Sequence, residues 1–343
     1  MKTESVNQAL RKYVQTNLTP TVEERSLISS IYEAVCSVLS SGKCLQIGSY
    51  PRYTAIRPPH DLDVLFILGK WDKTVPKPFN SLSRLKLRLE TELIPPRGFS
   101  FTVELQTHSI TIKFIRNNEE VFAVDIVPAL ITEAKNEFGD DIYLVPEILR
   151  LGHQRRLKKY KRVEENIDRI DWILTDPRGY ISVASALNKQ NDDFRKSVKI
   201  PKKWKGISKE QNDEFKLKSF HIEQIVTSYF RKDSSLTILD AVTKFFVELP
   251  NWLSHSQIPD RADSSKNIDA YVDELTLEQK SIILKSRDEF LEKLKSYEGE
   301  QDAEILFKEK TLAVQVKSVS VGATGASAVF EVRRVIPRSN FGE

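Results

Sequence analysis

Two aspartates, Asp61 and Asp63, open the apolar run DLDVLFIL, and a Gly-Ser pair, Gly48-Ser49, stands ahead of them in the stretch LQIGSYPRYTAIRPPHDLDVLFIL, residues 45 to 68. In a strand alternate residues share a face, so Asp61 and Asp63 project together while Leu62, Val64 and Phe66 face the other way. Two carboxylates left alone at one site repel, and one is driven toward protonation. A hard divalent cation resolves the conflict, because Mg²⁺ takes oxygen ligands, usually one or two carboxylates together with the phosphates of a substrate. A metal-free arrangement needs an Arg or Lys for each charge, and a lone Asp-x-Asp also fits a turn cap followed by an exposed strand position. Two further features favour the metal. Asp125 lies in VFAVDIVPAL with apolar neighbours on both sides, where a lone carboxylate is costly to bury unless paired or metal-bound. Gly48-Ser49, at a strand-to-turn junction, offers unobstructed N–H groups and a hydroxyl, the kind of surface that cradles a phosphate. If the two Asp-bearing strands are neighbours, the three carboxylates form one cluster beside that cradle.

The elements that must hold these groups are legible around them. Thr21 with Glu24 three places on is a capping-box signature, and Leu27, Ile28, Ile31, Val35, Val38 and Leu39 follow at helical spacing, with Gly42 as the expected stop. KCLQIG reads as a short strand, YPRYTAIRPPH as an irregular loop, and DLDVLFIL as a second strand. SITIKFIRNNEEVFAVDIVPAL predicts an antiparallel hairpin of Ser109 to Ile115 and Val121 to Val127, joined by a turn over Arg116 to Glu120 and closed by Pro128. Beyond residue 147 the pattern becomes long, Lys-rich and helical. The expected division is therefore a core at 1–148, a helical domain at 149–300, and a C-terminal segment at 301–343 whose GATGASA stretch resembles a linker.

Length and composition set the outer bounds. At 343 residues, 40% hydrophobic and 29% charged, the chain is sized for about two globular domains. Its 52 Lys and Arg against 48 Asp and Glu leave a net charge of +4, too small for a dedicated DNA binder but compatible with a local basic site for a polyphosphate. Two cysteines, Cys36 and Cys44, exclude a multi-bridge disulfide framework, and Cys36 in an apolar helical pattern reads as a reduced structural thiol. MKTESVNQALRKYVQTN lacks an apolar signal core, and no run reaches the roughly 18 apolar residues of a membrane span. The expectation is a cytoplasmic protein without membrane contact.

Gly48-Ser49, Thr54, Asp61-Leu62-Asp63 and the distant Asp125 resemble the active-site signature of the polymerase-β-like nucleotidyltransferase superfamily. The form GSYPRYTAIRPPHDLDVL is most similar to bacterial cGAS/DncV-like nucleotidyltransferases, relatives of oligoadenylate synthase and archaeal-type CCA-adding enzymes. TDPRGYISVASALNKQNDDFRKSVKIPKKWK, LKSFHIEQIVTSYF and IPD at 258 to 260 resemble that group's helical domain, so the likeness spans roughly residues 20 to 295. It implies an α+β fold of two lobes around an active-site cleft, a mixed sheet carrying the carboxylates and a C-terminal helical domain clamping the nucleotide.

The resemblance makes Asp61, Asp63 and Asp125 the ligands of two Mg²⁺ ions, with Mn²⁺ as a substitute, and sets Gly48 and Ser49 against the triphosphate of ATP or another NTP. Lys202 would contact the triphosphate, with Lys199 and Lys203 as alternatives, as would Ser219, and Phe220 would stack on the donor base. Three departures stand out: Tyr53 where many members have Gly, His60 where Ser is common, and Pro201, expected to interrupt the helix before Lys202. The implied activity is synthesis of cyclic di- or oligonucleotide second messengers for bacterial antiphage signalling, with a separate effector protein sensing the product and a regulatory partner protein in some cases. A polymerase of linear oligonucleotides, an enzyme modifying RNA or protein, and a non-catalytic nucleotide-binding or antitoxin-like module are the alternatives. Simpler readings accompany several residues: RRLKKYKR at 155 to 162 as a solvated helix face rather than a nucleic-acid contact, His60 as a loop-orienting residue, Phe220 as core. Trp172, Trp204 and Trp252 read as core anchors, and His108, His153, His221 and His255 lack zinc-site spacing.

Overall fold

The computed structural model describes residues 2–70, 78–106, 109–147 and 171–308, which belong to one compact unit. The basic run at 155–162, His108, His153 and the small-residue C-terminal stretch lie outside them. Helix α1 (Lys2–Tyr13) passes through a single π-turn (Val14–Leu18) and leads to α2 (Val22–Leu39). The Thr21 hydroxyl accepts from the Glu24 N–H at 3.2 Å and the Glu24 carboxylate accepts from the Thr21 N–H at 2.7 Å, a reciprocal cap worth about 1 kcal/mol. The stop differs from expectation. Ser40 takes the left-handed turn, with φ 83°, and Gly42 falls in the short 3₁₀ turn that follows.

Strands β1 (Cys44–Ile47), β2 (Asp61–Lys70), β3 (Ser100–Leu105), β4 (Ile110–Arg116), β5 (Glu119–Lys135), β6 (Asp141–Glu147) and β7 (Asp171–Thr175) form one mixed sheet, with α3 (Pro78–Glu92) between β2 and β3. The order is β1-β2-β5-β4-β3; β6 pairs with the far half of β5, and β7 with β6. Only β2 and β5 pair in parallel among these. The β4–β5 hairpin turns on two residues, Asn117 and Asn118, at φ 53° and 64°, a tighter reversal than the turn read from the sequence and one that asparagine tolerates. Pro128 does not close β5. Antiparallel pairing with β4 ends at Ile126, pairing with β6 begins at Leu130, and Pro128 falls in the interval where its missing N–H costs no ladder bond on that side.

The sheet's two faces carry different chemistry. Leu62, Val64 and Phe66 of β2 pack with Ile112, Phe114, Val124 and Ile126 against Ile28, Ile31 and Val35 of α2 and Leu82, Leu85 and Leu89 of α3. The opposite face bears Asp61, Asp63 and Asp125 at one end and the small cluster Leu65, Ala129 and Tyr143 farther along. Cys36 is a buried free thiol, as its apolar helical pattern predicts, and Cys44 is a half-buried one.

Helices α4 (Pro177–Gln190), α5 (Asp193–Gln211), α6 (Ser219–Lys232), α7 (Ile238–Trp252) and α8 (Leu277–Ser296) build a second core around Phe194, Trp204, Phe230, Phe245, Phe246 and Phe290. Helix α1 joins this helical core through Val6, Leu10 and Tyr13, and Arg11 pairs with Asp193 at 2.7 Å. Helix α5 continues through Pro201, so the expected interruption before Lys202 does not occur. Trp204 is buried and donates to the Ser286 hydroxyl at 2.9 Å, and Trp252 donates to the Tyr229 hydroxyl at the same distance. No helix among the described residues is long and apolar enough to cross a membrane.

Candidate functional site

Asp63 of β2 is in register with Asp125 of β5, and Asp61 with Ala123. Because side chains alternate, the three carboxylates leave the sheet on one face. Asp61 is exposed at the strand's first residue, while Asp63 and Asp125 are half-buried. Thr111 of β4 stands opposite Asp125, and its hydroxyl donates to Asp125 Oδ1. On the other flank Ile47 of β1 is the partner of Asp63, and the next residue, Gly48, turns the chain at φ +74°. A Cβ at residue 48 would lie 1.9 Å from Asp63 Oδ2. The turn therefore requires glycine twice, for its backbone conformation and for the carboxylate it lies against.

The charge conflict is real. Burial first, then the charges of Asp61 and Asp125, push Asp63 up to about 7, against the opposing pull of Arg52. Asp125 is also raised, chiefly by burial, with the Thr111 hydroxyl opposing and Asp61 adding. Among the described residues no three His, Cys, Asp or Glu side chains form a ready metal cage. Asp61, exposed at the start of β2, nevertheless acts through its charge on both Asp63 and Asp125. The donor set still fits a hard cation: it offers carboxylate oxygens on one face of the sheet, and burial together with the neighbouring carboxylates drives Asp63 toward protonation. Such an ion needs only one or two carboxylates, its other positions being taken by ligand oxygens or water.

Behind the Gly48 turn lies a buried polar cluster. Glu223 of α6, 1% exposed, accepts from Arg52 Nε at 2.5 Å, Arg52 Nη2 at 3.3 Å, the Thr54 hydroxyl at 2.7 Å and Lys202 Nζ at 2.8 Å. Lys202 also donates to the Thr54 carbonyl at 3.2 Å, and the Thr54 N–H donates to the Ser49 carbonyl at 3.0 Å. Desolvation would raise Glu223, but Lys202 and Arg52 outweigh it and hold the carboxyl down at about 2. Lys202, expected at the triphosphate, thus has its ammonium turned inward to Glu223 and Thr54 and is 5% exposed. Lys199, the first alternative, is also buried and donates to the Thr19 hydroxyl at 3.0 Å. Burial and the surrounding cations, Lys202 foremost, bring it down to about 8.

A third lysine of this helix also feels the charge of a site carboxylate. Lys205, three residues beyond Lys202 on the same face of α5, is half-buried and has no hydrogen bond or ion pair among the described residues. Burial lowers its pKa, as do Lys209 and Lys202, and Asp61 opposes them. Its ammonium is therefore within electrostatic reach of Asp61. Ser219 is the first residue of α6, where the helix leaves N–H groups unpaired. Phe220, next to it, is half-buried, with the Arg52 guanidinium 5.2 Å from its ring centroid and Tyr180 edge-on at 5.0 Å. Tyr180 in turn lies under Arg261, at 5.6 Å, which pairs with the buried Asp176 at 3.2 Å. The His60 side chain is exposed, and its carbonyl accepts from the Ala123 N–H at 2.9 Å, opening the β2–β5 ladder. Tyr53 has φ 60°, a left-handed conformation that explains why glycine suits that position.

Several residues of the site escape sequence reasoning. Thr111 hides between two isoleucines and acquires meaning only from its register with Asp125. Glu223 leaves a trace, since Val226, Thr227 and Phe230 at i+3, i+4 and i+7 put it on a buried stripe. Its partners Arg52 and Lys202 are 171 and 21 residues away, beyond the reach of any local pattern. A surface groove of about 590 Å³ between α7 and α8, lined by Leu253, Leu277 and Leu284 among others, involves none of these residues.

No protein-family model matches the chain, and no curated protein matches it. Solved structures do. Escherichia coli MS115-1 CdnC in its complex with HORMA-deltaN is 18% identical, with 85% of this chain covering 92% of that one at a TM-score of 0.58. The same CdnC with ATP is 16% identical over 84% of this chain and 91% of that one, at 0.57. Elizabethkingia meningoseptica CdnE, a cyclic dinucleotide synthase solved with GTP and Apcpp, is 14% identical over 85% and 99%, at 0.53. The α+β fold of this chain, a mixed sheet followed by a helical region, is the fold of those bacterial cGAS/DncV-like proteins.

Proposed function

We propose that the chain is a metal-dependent nucleotidyltransferase that joins NTPs into a cyclic di- or oligonucleotide. The observation that carries this reading is the register pair Asp63–Asp125 on parallel strands, with Asp61 on the same face and the side-chain-free Gly48 against Asp63. Asp61, Asp63 and Asp125 would hold two Mg²⁺ ions, which when bound stabilise the attacking and leaving oxygens of an in-line displacement at the α-phosphorus. Gly48 and Ser49 offer the turn's N–H groups and hydroxyl to the triphosphate, with Ser219 and its helix N-terminus on the other side. Lys205, which has no ion pair among the described residues, takes the charge contact that the resemblance gives to Lys202. Lys202 acts from behind the turn through Glu223 and Thr54. Phe220, backed by Arg52 and Tyr180, presents a ring to the donor base.

The fold shared with CdnC and CdnE supports NTPs as substrates, since those proteins were solved with ATP and with GTP and Apcpp. The CdnC complex with HORMA-deltaN supports a regulatory partner protein. A product of this kind would act on a separate effector protein in the bacterial cytoplasm, in antiphage signalling. The test is incubation with Mg²⁺ or Mn²⁺ and all four labelled NTPs, with candidate partners supplied, followed by phosphatase and mass spectrometry. A phosphatase-resistant product lacking terminal phosphates is expected from the wild type and not from Asp63→Asn. A linear, phosphatase-sensitive product would move the reading to an oligonucleotide polymerase, and absence of any product would overturn it.

A further inference from the structure

One buried carboxylate, Glu223, ties the segment after the Gly48-Ser49 turn to α5, and among the described residues no other acidic side chain shares its hydrogen-bonded cluster. Glu223 receives four donor contacts from three residues: Arg52 and Thr54 on the segment that follows Gly48-Ser49, and Lys202 on α5. It belongs to α6, the helix whose first two residues are Ser219 and Phe220. Arg52 meanwhile lies over the Phe220 ring, so the same guanidinium that Glu223 fixes also backs the aromatic platform. Arg52, Thr54, Lys202 and Glu223 are 6%, 0%, 5% and 1% exposed. We infer that Glu223 is a positioning residue for the bound nucleotide, setting the Gly48-Ser49 turn at a fixed place relative to Ser219, Phe220 and the cationic face of α5. The inference rests on the nucleotidyltransferase reading of the site.

Two physical considerations separate positioning from plain stabilisation. A buried ion pair is a poor source of stability, because its desolvation cost offsets its attraction and apolar residues of similar volume do as well or better. What such a pair does supply is one allowed arrangement: the bidentate Arg52 contact fixes orientation, and the Thr54 hydroxyl fixes the turn. The charge count is also uneven, with two cations to one carboxylate. The surplus is felt across the site, since Arg52 pulls on Asp63 and Asp61 acts on Lys202. Displacing the turn by about 1 Å is enough to cost on the order of a hundredfold in a reaction that depends on in-line geometry.

The experiment compares wild type, Glu223→Gln and Glu223→Asp as full chains, each assayed well below its own melting temperature with Mg²⁺ and NTPs. Glu223→Gln keeps shape and one acceptor but removes the charge that holds two cations; roughly a tenfold to hundredfold loss of kcat/KM, led by a rise in KM for NTP, is expected. Glu223→Asp keeps the charge and withdraws it by one methylene, so it should recover part of that loss and leave KM about threefold above the wild type. A purely structural residue would lower the melting temperature and leave KM and kcat of the folded enzyme unchanged. An active wild type with Glu223→Gln within twofold of it in both constants overturns this inference alone. A wild type that neither binds nor consumes NTPs overturns the functional reading and this inference with it. If Glu223→Gln does not fold, Glu223→Asp decides: a KM raised about threefold supports positioning, and an unchanged KM rejects it.

Discussion

Gly48 and Asp63 touch: the backbone of one lies where the carboxylate of the other stands, and a Cβ on residue 48 would come within 1.9 Å of Asp63 Oδ2 and 2.8 Å of its Cγ. The φ of +74° at Gly48 adds a second constraint, costing a side-chain-bearing residue about 1 to 2 kcal/mol. Gly48→Ala is therefore expected to destabilise the fold by about 2 kcal/mol or more and to displace Asp63 from its register with Asp125. Calorimetry checks the first effect. The second is checked by nucleotidyl transfer at a temperature where the variant is folded, and retained activity would argue against Asp63 needing that position.

Asp63 has its carboxyl raised to about 7 by burial and by its acidic neighbours. A carboxyl raised above its unfolded value of about 4 binds its proton more tightly in the folded chain, so its contribution to stability is present below about pH 4 and is lost as pH rises through 7. Asp63→Asn, neutral at every pH, should raise the melting temperature of the metal-free protein by a few degrees at pH 8. The gain should shrink as pH falls from 7 toward 4 and vanish below about pH 4, where the carboxyl is protonated in the unfolded chain as well. Mg²⁺ should stabilise the wild type at pH 8 and not the variant. Equal melting curves at pH 8 would show that the charge conflict is relieved in some other way.

How much of this was legible in advance follows from which signals are local. The capping box at Thr21 and Glu24, the strands on either side of Gly48, and the pairing of Asp61 with Asp63 on one face depend on a few neighbouring residues, and each was readable. The adjacency of Asp63 and Asp125 was only conditional, because it depends on β2 and β5 being parallel neighbours 62 residues apart in register. The surroundings of the α5 lysines were out of reach for a related reason: Lys199, Lys202 and Lys205 look alike in sequence, and only the packing of α5 shows that Lys199 and Lys202 point into buried polar partners. Pro128 and Pro201 were both read as breaks, yet each sits where its missing N–H is tolerated by the surrounding pairing or helix.

His221 titrates in the opposite sense from Asp63. It is buried on α6, with Nδ1 at 2.9 Å from the Tyr271 hydroxyl and Nε2 without a hydrogen-bond partner. Burial brings it down to about 4, with Asp269 opposing and Lys218 adding. A histidine depressed below its unfolded 6.5 contributes stability that is present above that value and is lost as pH falls toward 4, by roughly 3 kcal/mol. His221→Phe should flatten the stability profile between pH 6.5 and 4 relative to wild type, measured by urea unfolding at several pH values. Because Asp63 works the other way over the same range, the difference between variant and wild type is the quantity to follow. An unchanged difference across that range would place the titration elsewhere.

Lys205 is the residue whose removal separates a ligand contact from a structural one. It is half-buried without an anionic partner among the described residues, and burial together with Lys209 and Lys202 lowers its pKa. Holding a cation there works against the free fold, so Lys205→Ala should leave the melting temperature of the ligand-free protein unchanged or slightly higher. With NTP and Mg²⁺ the balance reverses, because a lysine hydrogen bond to a charged phosphate oxygen contributes about 1.5 to 3 kcal/mol. The expected result is a KM for NTP raised by roughly tenfold to a hundredfold, the factor that this energy corresponds to. Lys203→Ala, on a different face of the same helix, controls for charge removal as such and should change KM by less than about threefold, the size of a surface charge effect. Steady-state kinetics on the two variants decides the matter, and an equal rise in both would reduce Lys205 to a share of a general basic field.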